Sequence, residues 1–304
     1  MTISILIVSY NVSALLKNCI LTILPQLEAN DEIIVVDNAS VDGSADMIKN
    51  QFPTVKLINA QKNIGFSGGN NLALNSIKGD FTLLLNPDTE LLENSLEKLR
   101  ASLKINGDTH ILGAHLLNTD GSFQNSGWNI SNGFHMLAEA LSLQSLFHNR
   151  LSSKGWTKNR EVKALSGAAM ALCTKTLMNL KGFDPLLFWM EDVDLCYRCS
   201  MLGFSPLWVY DWKIYHHSGK SSSSSNGIPL ANQLISRLKF YKKYKWSLSL
   251  VIGHIACIIQ LSSRLTLLLL ISPFSEKAKN RSKAYRFAFR KYFRFLFLND
   301  KSIL

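Results

Sequence analysis

The sequence predicts an α/β protein with a doubly wound, mostly parallel sheet flanked by helices and followed by basic and apolar helices. Apolar runs rich in Ile and Val alternate with helical patterns over about the first 90 residues. Polar residues follow these runs, as expected where parallel strands end beside a ligand. The composition changes near Ile228, where cations and aromatic residues become frequent.

The four apolar runs have the character of strands that are buried on both faces. This is typical of parallel sheets because helices cover both sides. The segments between the runs carry apolar positions at helical spacing or a capping serine. The predicted strands are Ser4–Asn11, Asp31–Ser40, Val55–Ala60 and Phe81–Asp88, and the predicted helices are Ser13–Leu27, Ser44–Phe52 and Gly68–Ile77.

The next part of the chain continues the alternation less regularly. A helix is predicted over Leu92–Asn106, and two short strands are predicted around the turn at Asp120 and Gly121. Residues 131–160 show no clear periodicity, so a loop with short helices is expected there. The last predicted elements of this part are a strand entering a helix that closes at Gly182, a helix capped by Gly203, and a final strand before His216.

Residues 246–273 form an apolar segment that is long enough to cross a bilayer. Because His254, Gln260 and Arg264 interrupt it, we favour an interfacial or re-entrant helical hairpin over a full span. A buried helix of a C-terminal subdomain is the alternative. The following segment, Glu276–Phe295, interleaves cations with aromatic rings, which suits an anionic membrane surface.

The net charge of +11 is unevenly distributed along the chain. Residues 213–304 contain 17 Lys or Arg and 2 Asp or Glu, whereas residues 1–212 contain 16 and 20. This asymmetry indicates a polyanionic neighbour, and the candidates are anionic lipid headgroups and nucleic acid. We expect no nucleic acid, because no recognisable RNA-binding module accompanies the composition.

The N-terminus and the cysteines indicate the compartment. No basic segment precedes the first apolar run, so the sequence predicts a cytoplasmic N-terminus rather than a signal peptide. The five cysteines are scattered, and the pair formed by Cys196 and Cys199 has no second pair at zinc-site spacing. Structural cysteines in a reducing compartment are therefore expected.

Two carboxylates follow predicted strands and can take part in ligand binding. Asp37 can accept a hydrogen bond from a base N–H or a ribose hydroxyl, or it can cap the following helix. Asp88 follows Pro87 and can hold Mg²⁺ or Mn²⁺, which stabilises the charge of a departing nucleoside diphosphate. A type I turn with proline at its second position is the alternative explanation of Asp88.

Two further clusters lie at predicted helix starts. The segment Asn63–Asn71 is rich in glycine, so its backbone N–H groups can approach a phosphate; a tight turn is the alternative. Glu191, Asp192 and Asp194 begin a helix, where acidic residues are favoured by the helix dipole. One of these carboxylates can instead serve as a general base beside the apolar residues that precede it.

A basic cluster follows the last predicted strand. His216 or His217 can complete a metal site, and Lys220 can contact phosphate. One of the two histidines can also be a packed strand residue without a role in binding.

Taken together and in this order, these motifs resemble the family 2 inverting glycosyltransferases, which have a GT-A fold. The likeness is strongest to the rhamnosyltransferase-like branch that builds O-antigen and other bacterial surface polysaccharides. The resemblance covers about residues 3–222 and rests on the joint occurrence of ILIVSYN, VVDNAS, NIGFSGGNN, LLLNPD, LSGAAMAL, GFDPLLFWMEDVDLCYR and YHHSGKS.

The resemblance implies roles for individual residues. Asp37 is expected to contact a pyrimidine base, Asp88 to bind the metal and Asp192 to act as the catalytic base. His217, in preference to His216, is expected to assist the metal and the diphosphate. The other expected donor-binding residues are Ser9, Tyr10, Asn11, Asn38, Asn63, Gly65, Phe66, Asn70, Asn86 and Lys220, and the expected acceptor-binding residues are Gly167, Trp189 and Glu191.

The metal motif departs from the family pattern at one position. The D-x-D motif of the family reads Asn86-Pro87-Asp88 in this chain, so its first acid is replaced by an amide. This form is common in the rhamnosyltransferase-like branch. Asp88 is therefore expected to be the main carboxylate ligand.

The implied reaction is a single displacement that inverts the configuration at the anomeric carbon of the donor sugar. The expected donor is dTDP-rhamnose, and another UDP- or dTDP-sugar such as UDP-GlcNAc or a galactose donor is the alternative. The expected acceptor is a lipid-linked oligosaccharide or another saccharide at the cytoplasmic face of the plasma membrane. Residues 1–227 are expected to form the GT-A domain (donor half about 1–110, acceptor half about 111–227), and residues 228–304 a membrane-associating helical region.

The same residues argue against two other classes of protein. A sugar-nucleotide pyrophosphorylase would carry a glycine-rich, basic loop after the first strand, and this chain does not. A non-catalytic, membrane-bound glycan-binding protein would not need Asp37, Asp88 and Asp192 together. The sequence implies no particular oligomeric state.

Overall fold

The computed structural model describes residues 1–143, 145, 153–217 and 227–298. The chain divides into two compact units. The first, which we call the sheet unit, comprises Met1–Asn129, Ser152–Pro185 and Glu191–Ser221. The second, which we call the helical unit, comprises Ile130–Leu151, Leu186–Met190 and Ser222–Leu304. The helical unit thus contains the predicted C-terminal region and two segments that the sequence placed in the GT-A domain.

The described residues of the sheet unit contain a nine-stranded sheet and a small two-stranded sheet. Apolar Ile, Val and Leu side chains dominate the central strands, as expected for strands with both faces covered. The strands are β1 (Ile3–Ser9), β2 (Glu32–Asp37), β3 (Lys56–Asn59), β4 (Phe81–Leu85), β5 (Thr89–Leu91), β6 (His110–Leu117), β7 (Gly127–Trp128), β8 (Arg160–Glu161), β9 (Ala164–Leu165), β10 (Ala169–Cys173) and β11 (Ser205–His216).

The large sheet has the order β3-β2-β1-β4-β10-β6-β11-β5, and β8 pairs with β11 at its side. The pairs β1–β2, β2–β3, β1–β4 and β6–β11 are parallel. Strand β10 is antiparallel to both of its neighbours, β4 and β6. The predicted α/β class and the parallel N-terminal half of the sheet are therefore confirmed.

Helices cover both faces of this sheet. The helices of the sheet unit are α1 (Ser13–Ile23), α2 (Ser44–Gln51), α3 (Gly65–Ala73), α4 (Ser95–Asn106), α6 (Thr174–Asn179) and α7 (Glu191–Met201); α5 (Gly133–Ala140) belongs to the helical unit. Successive residues of β1 point to opposite faces. Ile5 and Ile7 join one apolar core, and Leu6 and Val8 join the other.

Two differences between the predicted elements and the structure concern β6 and α3. The pair of short strands expected around Gly121 is replaced by the long central strand β6, which is followed by a turn and a single bridge from Leu117 to Phe123. Burial on both faces of β6 explains its length. Helix α3 begins at Gly65, three residues before the predicted start at Gly68, and Asn63 Oδ1 accepts a hydrogen bond from Gly65 N at 2.9 Å beside this start.

The other helices of the helical unit are α8 (Ile228–Lys243), α9 (Ser247–Ile271) and α10 (Glu276–Leu298). The prediction of a re-entrant hairpin within residues 246–273 is wrong, because α9 is one unbroken helix. Its polar residues have partners inside the unit. His254 Nδ1 lies 2.9 Å from Tyr292 Oη, and Arg264 Nη2 donates to the carbonyl oxygen of Glu139 at 3.3 Å.

The exposure of α9 bears on its predicted membrane contact. In the described part of the chain, one helix, Ser247–Phe274, is long and apolar enough to cross a bilayer. The buried residues of α9 are Gly253, Ala256, Cys257 and Leu261, so the helix is not enclosed as a core helix would be. Its apolar side chains on the opposite face are exposed.

An ion pair anchors α7 in the sheet unit. Asp194 is fully buried, and its Oδ2 accepts a hydrogen bond from Arg198 Nε at 2.6 Å. The same guanidinium donates to the carbonyl oxygens of Leu180 and Gly182 at 2.9 and 2.8 Å. Arg198 therefore joins the first turn of α7 to the turn that follows α6.

We expect Arg198→Met to lower the free energy of unfolding by about 3 kcal/mol, because it removes the guanidinium partner of a buried carboxylate. Urea denaturation would measure the change. Glu161→Gln is the matched control in the same unit, because the pair between Glu161 and His110 is exposed at the glutamate and its loss costs less than about 0.5 kcal/mol. Equal effects of the two variants would contradict the anchoring role of Arg198.

Candidate active site

The first part of the site lies where β1 and β2 end. Their parallel register pairs Ser9 with Asp37, so both side chains lie at the same edge of the sheet. Ser9, Asp37 and Asn38 are buried. Ser9 Oγ, Asp37 Oδ1 and Asn38 Oδ1 have no hydrogen-bond partner among the residues that the structure describes. Because unpaired buried oxygens are costly, this arrangement fits a ligand that supplies hydrogen-bond donors.

A cavity of about 220 Å³ lies at this edge. Tyr10 forms part of its wall and is half exposed, which leaves the cavity open to a ligand. Several residues that the sequence assigned to donor binding come together here. The lining residues are Val8, Ser9, Tyr10, Val12, Asn38, Asn63, Gly65, Phe66, Asn86, Pro87 and Asp88.

Asn11 and Asn70, predicted donor residues in the described part of the chain, are not among the residues that line this cavity. Asn11 has a positive φ of 53°, and its Oδ1 accepts a hydrogen bond from Val41 N at 2.8 Å. Asn70 is buried and donates to the carbonyl oxygen of Phe66 at 2.9 Å, so it supports a wall of the cavity. Lys220 lies outside the described residues.

The two histidines after β11 have different neighbours. His216 Nε2 lies 3.3 Å from Oδ1 of the buried carboxylate Asp88. His217 Nε2 lies 3.0 Å from Glu90 Oε1, and its Nδ1 lies 2.8 Å from Thr119 Oγ1. The ring beside the Asp88 carboxylate is therefore that of His216, whereas His217 contacts Asp88 through its backbone N, which donates to the carbonyl oxygen of Asp88 at 2.8 Å. The metal-binding role that the sequence assigned to His217 stays a prediction. Consecutive residues at a strand end point in opposite directions, so only one of them can face Asp88.

Gln124 is a residue of this site that the sequence analysis missed. Its Oε1 lies 2.6 Å from His216 Nδ1, on the side of the ring opposite to Asp88. Such a partner orients an imidazole and selects its tautomer. No motif surrounds Gln124, so only the three-dimensional contact identifies it.

Asp88 and His216 are the candidate metal ligands. Within the described residues, no group of three or more His, Cys, Asp or Glu side chains could hold a metal ion. An Asp and a His fit a divalent ion that takes its other ligands from a bound diphosphate and from water, as Mg²⁺ and Mn²⁺ commonly do. The side chains present therefore fit a metal that binds together with a nucleotide.

The predicted base, Asp192, lies in the first turn of α7. Its Oδ2 accepts a hydrogen bond from Gly167 N at 3.1 Å, and its Oδ1 accepts one from Val193 N at 2.7 Å. Removal from water raises the pKa of Asp192 to about 6, although these two N–H groups oppose the shift. The environment thus makes Asp192 a stronger base than an exposed aspartate.

Gly167 connects Asp192 to the cavity. A Cβ atom at Gly167 would lie 3.3 Å from Asp192 Cβ and 3.8 Å from Phe66 Cζ, so the carboxylate and the cavity wall flank this glycine. The next residue, Ala168, accepts a hydrogen bond through its carbonyl oxygen from Asn86 N at 2.9 Å. The segment before β10 therefore links Asp192 to the Asn86–Asp88 turn.

The other predicted acceptor residues occupy different units. Glu191 is the first residue of α7 in the sheet unit and is partly buried. Trp189 belongs to the helical unit, where its φ is +76° and its Nε1 donates to the carbonyl oxygen of Pro229 at 3.0 Å. A positive φ is uncommon for a bulky residue, so surrounding contacts must hold it there.

The fold and the site together define a GT-A-like α/β domain with a polar cavity at the ends of its parallel strands. Residues 4–160 match Glycosyl transferase family 2, and the chain belongs to this family. The predicted fold and enzyme class, a glycosyltransferase domain, are confirmed by this match.

The chain shares about a quarter of its aligned residues with characterised and uncharacterised relatives. The chain is 24% identical over 216 residues to the N-acetylglucosaminyl-diphospho-decaprenol L-rhamnosyltransferase of Mycobacterium tuberculosis, covering 66% of this chain and 70% of the relative. It is 26% identical over 228 residues to glycosyltransferase GlyG of Streptococcus pneumoniae, covering 73% and 72%. It is 23% identical to an uncharacterized protein of Sinorhizobium fredii, covering 71% of this chain but only 24% of that protein.

Solved structures share the fold. Mannosyltransferase PcManGT from Pyrobaculum calidifontis, in complex with GDP-Man and Mn²⁺, has a TM-score of 0.57 at 13% identity and covers 98% of this chain and 88% of its own. GalNAc-T7, with UDP, GalNAc and Mn²⁺, has a TM-score of 0.57 at 17% identity and covers 80% of this chain and 48% of its own. At these identities the likeness concerns the fold alone.

Proposed function

We propose that this protein is an inverting glycosyltransferase that transfers a sugar from a nucleoside diphosphate to an acceptor hydroxyl. The observation that carries the proposal is the position of Asp192. It accepts a hydrogen bond from Gly167, has a pKa near 6 and lies next to the wall of the cavity that contains Asp88. A base and a site for a phosphorylated leaving group thus lie at the same edge of one sheet.

Asp192 acts as the general base in the proposed reaction. Its pKa near 6 leaves it ionised at neutral pH and makes it a better proton acceptor than an exposed aspartate. It takes the proton of the acceptor hydroxyl as the oxygen forms a bond to the anomeric carbon. The bond from that carbon to the diphosphate oxygen breaks, and its electron pair leaves with the diphosphate. Because the acceptor oxygen attacks from the face opposite to the leaving diphosphate, the configuration inverts.

The strand ends bind the nucleotide in this proposal. Asp37 Oδ1, Ser9 Oγ and Asn38 Oδ1 are buried oxygens that can accept hydrogen bonds from a base N–H or a ribose hydroxyl. The serine hydroxyl can also donate. The backbone at the start of α3 adds N–H groups near Gly65, where negative charge is favoured.

Asp88 and His216 are the residues that would hold a divalent metal, Mg²⁺ or Mn²⁺. When bound, such an ion stabilises the negative charge that develops on the leaving diphosphate. Gln124 orients His216 from the other side of the ring. Asn86 adds an amide to the same wall of the cavity rather than a second carboxylate.

Among donors we favour dTDP-rhamnose, with a UDP-sugar such as UDP-GlcNAc or a galactose donor as the alternative. The Asn86-Pro87-Asp88 motif and the 24% identity to an L-rhamnosyltransferase support this choice. That relative is an N-acetylglucosaminyl-diphospho-decaprenol L-rhamnosyltransferase, which supports a lipid-linked saccharide as acceptor here. We place the protein in the synthesis of O-antigen or another surface polysaccharide.

We further propose that the protein is peripheral or monotopic at the cytoplasmic face of the plasma membrane. The exposed apolar side chains of α9 support this location, as do the cations and aromatic rings that alternate along α10. Residues 228–304 would associate with the membrane while residues 1–227 carry out transfer.

The test of the function is a panel of dTDP-rhamnose, UDP-GlcNAc and UDP-galactose, each with and without Mg²⁺ or Mn²⁺. Release of the nucleoside diphosphate reports donor use. We expect Asp192→Asn to reduce release at least about a hundredfold, because a general base contributes this much, while donor affinity stays within a few fold. Asp211→Asn, a change at an exposed carboxylate of β11, is the matched control. Turnover near the normal rate in Asp192→Asn would contradict the assignment of the base.

The pH profile of transfer tests the environment of Asp192. Because the base acts in its ionised form, we expect the rate to be constant above an apparent pKa of about 6 and to fall tenfold per pH unit below it. The measurement is kcat/KM against pH, with nucleotide binding at pH 5 as a check that the site remains formed. An inflection near pH 4 would mean that Asp192 is not desolvated as the structure places it.

The two histidines provide a matched pair of variants. We expect His216→Ala to weaken Mn²⁺ binding in the presence of UDP by about tenfold or more, because it removes the imidazole beside Asp88. His217→Ala should change Mn²⁺ affinity less than about threefold, because this ring contacts Glu90 and Thr119 instead. Isothermal titration of Mn²⁺ into the UDP-loaded protein would measure both. A larger effect of His217→Ala would instead support the metal-binding role that the sequence assigned to His217.

A further inference from the structure

The helical unit contains a large cavity that the proposed reaction does not use. Its volume is about 670 Å³. Its walls come from the turn that follows α5, the first turn of α8, the C-terminal half of α9 and the N-terminal half of α10. The lining residues are Ser142, Leu230, Arg264, Leu267, Leu268, Arg281, Ala284 and Tyr285.

The lining combines two positive charges with apolar side chains. Among the described residues that form the wall there are two guanidinium groups and no carboxylate. Arg264 donates to the carbonyl oxygen of Glu139, whereas the carboxylate of Glu139 pairs with Arg237. No hydrogen bond or ion pair joins Arg281 to another described residue. The cavity therefore carries positive charge that the described part of the chain does not neutralise.

The start of α8 adds to the preference for an anion. Gly227 precedes the helix with a φ of +77°, and a Cβ atom there would lie 2.1 Å from the carbonyl oxygen of Ala284, so α8 begins directly against α10. Within the part of the chain that the structure describes, no side chain caps this helix start, and Leu230 in its first turn lines the cavity. Pro229 has no N–H, so Ile228 and Leu230 provide the N–H groups by which this helix start favours negative charge.

An exposed apolar row leads away from the cavity. Leu267 lines the cavity and is 57% exposed. The row continues at helical spacing with Leu270, Ile271 and Phe274, which are 69%, 43% and 89% exposed. From Leu267 to Phe274 it extends for roughly 10 Å at the rise of a helix. A ligand seated in the cavity thus has an apolar path along α9.

We propose that this cavity binds one anionic membrane phospholipid, with its phosphate between Arg264 and Arg281 and its hydrocarbon along the apolar row of α9. Guanidinium groups suit phosphate because they donate in a planar fork, and Tyr285 can donate a further hydrogen bond. A soluble phosphate would leave the leucines of the wall and the row of α9 in water. A neutral lipid would leave the two arginines unpaired.

This inference rests on the proposed membrane association and adds a stoichiometric site to it. Diffuse attraction between a basic helix and an anionic surface treats all exposed cations of α10 alike. A site for one phospholipid instead predicts that Arg281 contributes far more to vesicle binding than the other cations of α10. Arg286 is the matched control, because it is an exposed arginine five residues along the same helix, about 140° around the axis, and does not line the cavity.

The experiment is flotation of the full-length chain with phosphatidylcholine vesicles, with and without phosphatidylglycerol. For Arg286→Gln we expect partitioning to anionic vesicles to fall about fivefold, because one cation near the surface contributes about that much to membrane affinity. For Arg281→Gln we expect a loss of more than about tenfold, because a charge-assisted phosphate contact is also removed. Circular dichroism checks that both variants fold; since Arg281 has no described partner, its replacement leaves the packing intact.

A second measurement identifies the ligand. Native mass spectrometry of the detergent-purified chain should show one retained phosphatidylglycerol, lost in Arg281→Gln and kept in Arg286→Gln. Short-chain phosphatidylglycerol should raise the thermal midpoint at concentrations where inorganic phosphate does not. Equal losses for the two variants, or an equal effect of inorganic phosphate, would overturn the lipid site but leave membrane association standing. Failure of the unaltered chain to float with any vesicle would overturn both.

Discussion

The parallel pairing of β1 with β2 and with β4 is the constraint on which the rest of the site depends. Parallel strands end at a common edge, and here that edge receives Ser9, Asp37 and the turn that carries Asp88. Helices cover both faces of the strands, so the polar groups at their ends are buried as well. Ser9 Oγ and Asp37 Oδ1 are buried and have no hydrogen-bond partner among the described residues, which leaves these oxygens available to a ligand.

Strand β10 brings the second half of the site to the same edge. It runs antiparallel beside β4, so the residues that precede it lie next to the residues that follow β4. The hydrogen bond from Asn86 N to the carbonyl oxygen of Ala168 holds these two segments together. Gly167, the residue before Ala168, donates through its N to Asp192 Oδ2. The pair Asp194–Arg198 holds the helix that presents Asp192. The buried ion pair of Asp194 therefore lies two residues from Asp192, whose pKa is raised by removal from water.

Most residues that the sequence assigned to the donor come together in the structure, whereas those assigned to the acceptor are divided between the two units. Most of the predicted donor residues, Asn63 and Phe66 among them, line one cavity because each follows a strand or begins a helix. The motif could not decide between His216 and His217, because it does not tell which of the two rings turns toward the Asp88 carboxylate. The predicted break in α9 failed because His254 and Arg264 find partners within the helical unit and need no turn.

The sequence by itself determined the alternation of strands and helices, the polar residues at strand ends and the resemblance that led to the family. These are local properties, set by the spacing of apolar residues and by the residue types at each turn. Only the tertiary structure decided the pKa of Asp192, the partner of Asp88 and the cavity between Arg264 and Arg281. Each of these depends on desolvation or on contacts between residues far apart in the chain, which no local pattern encodes.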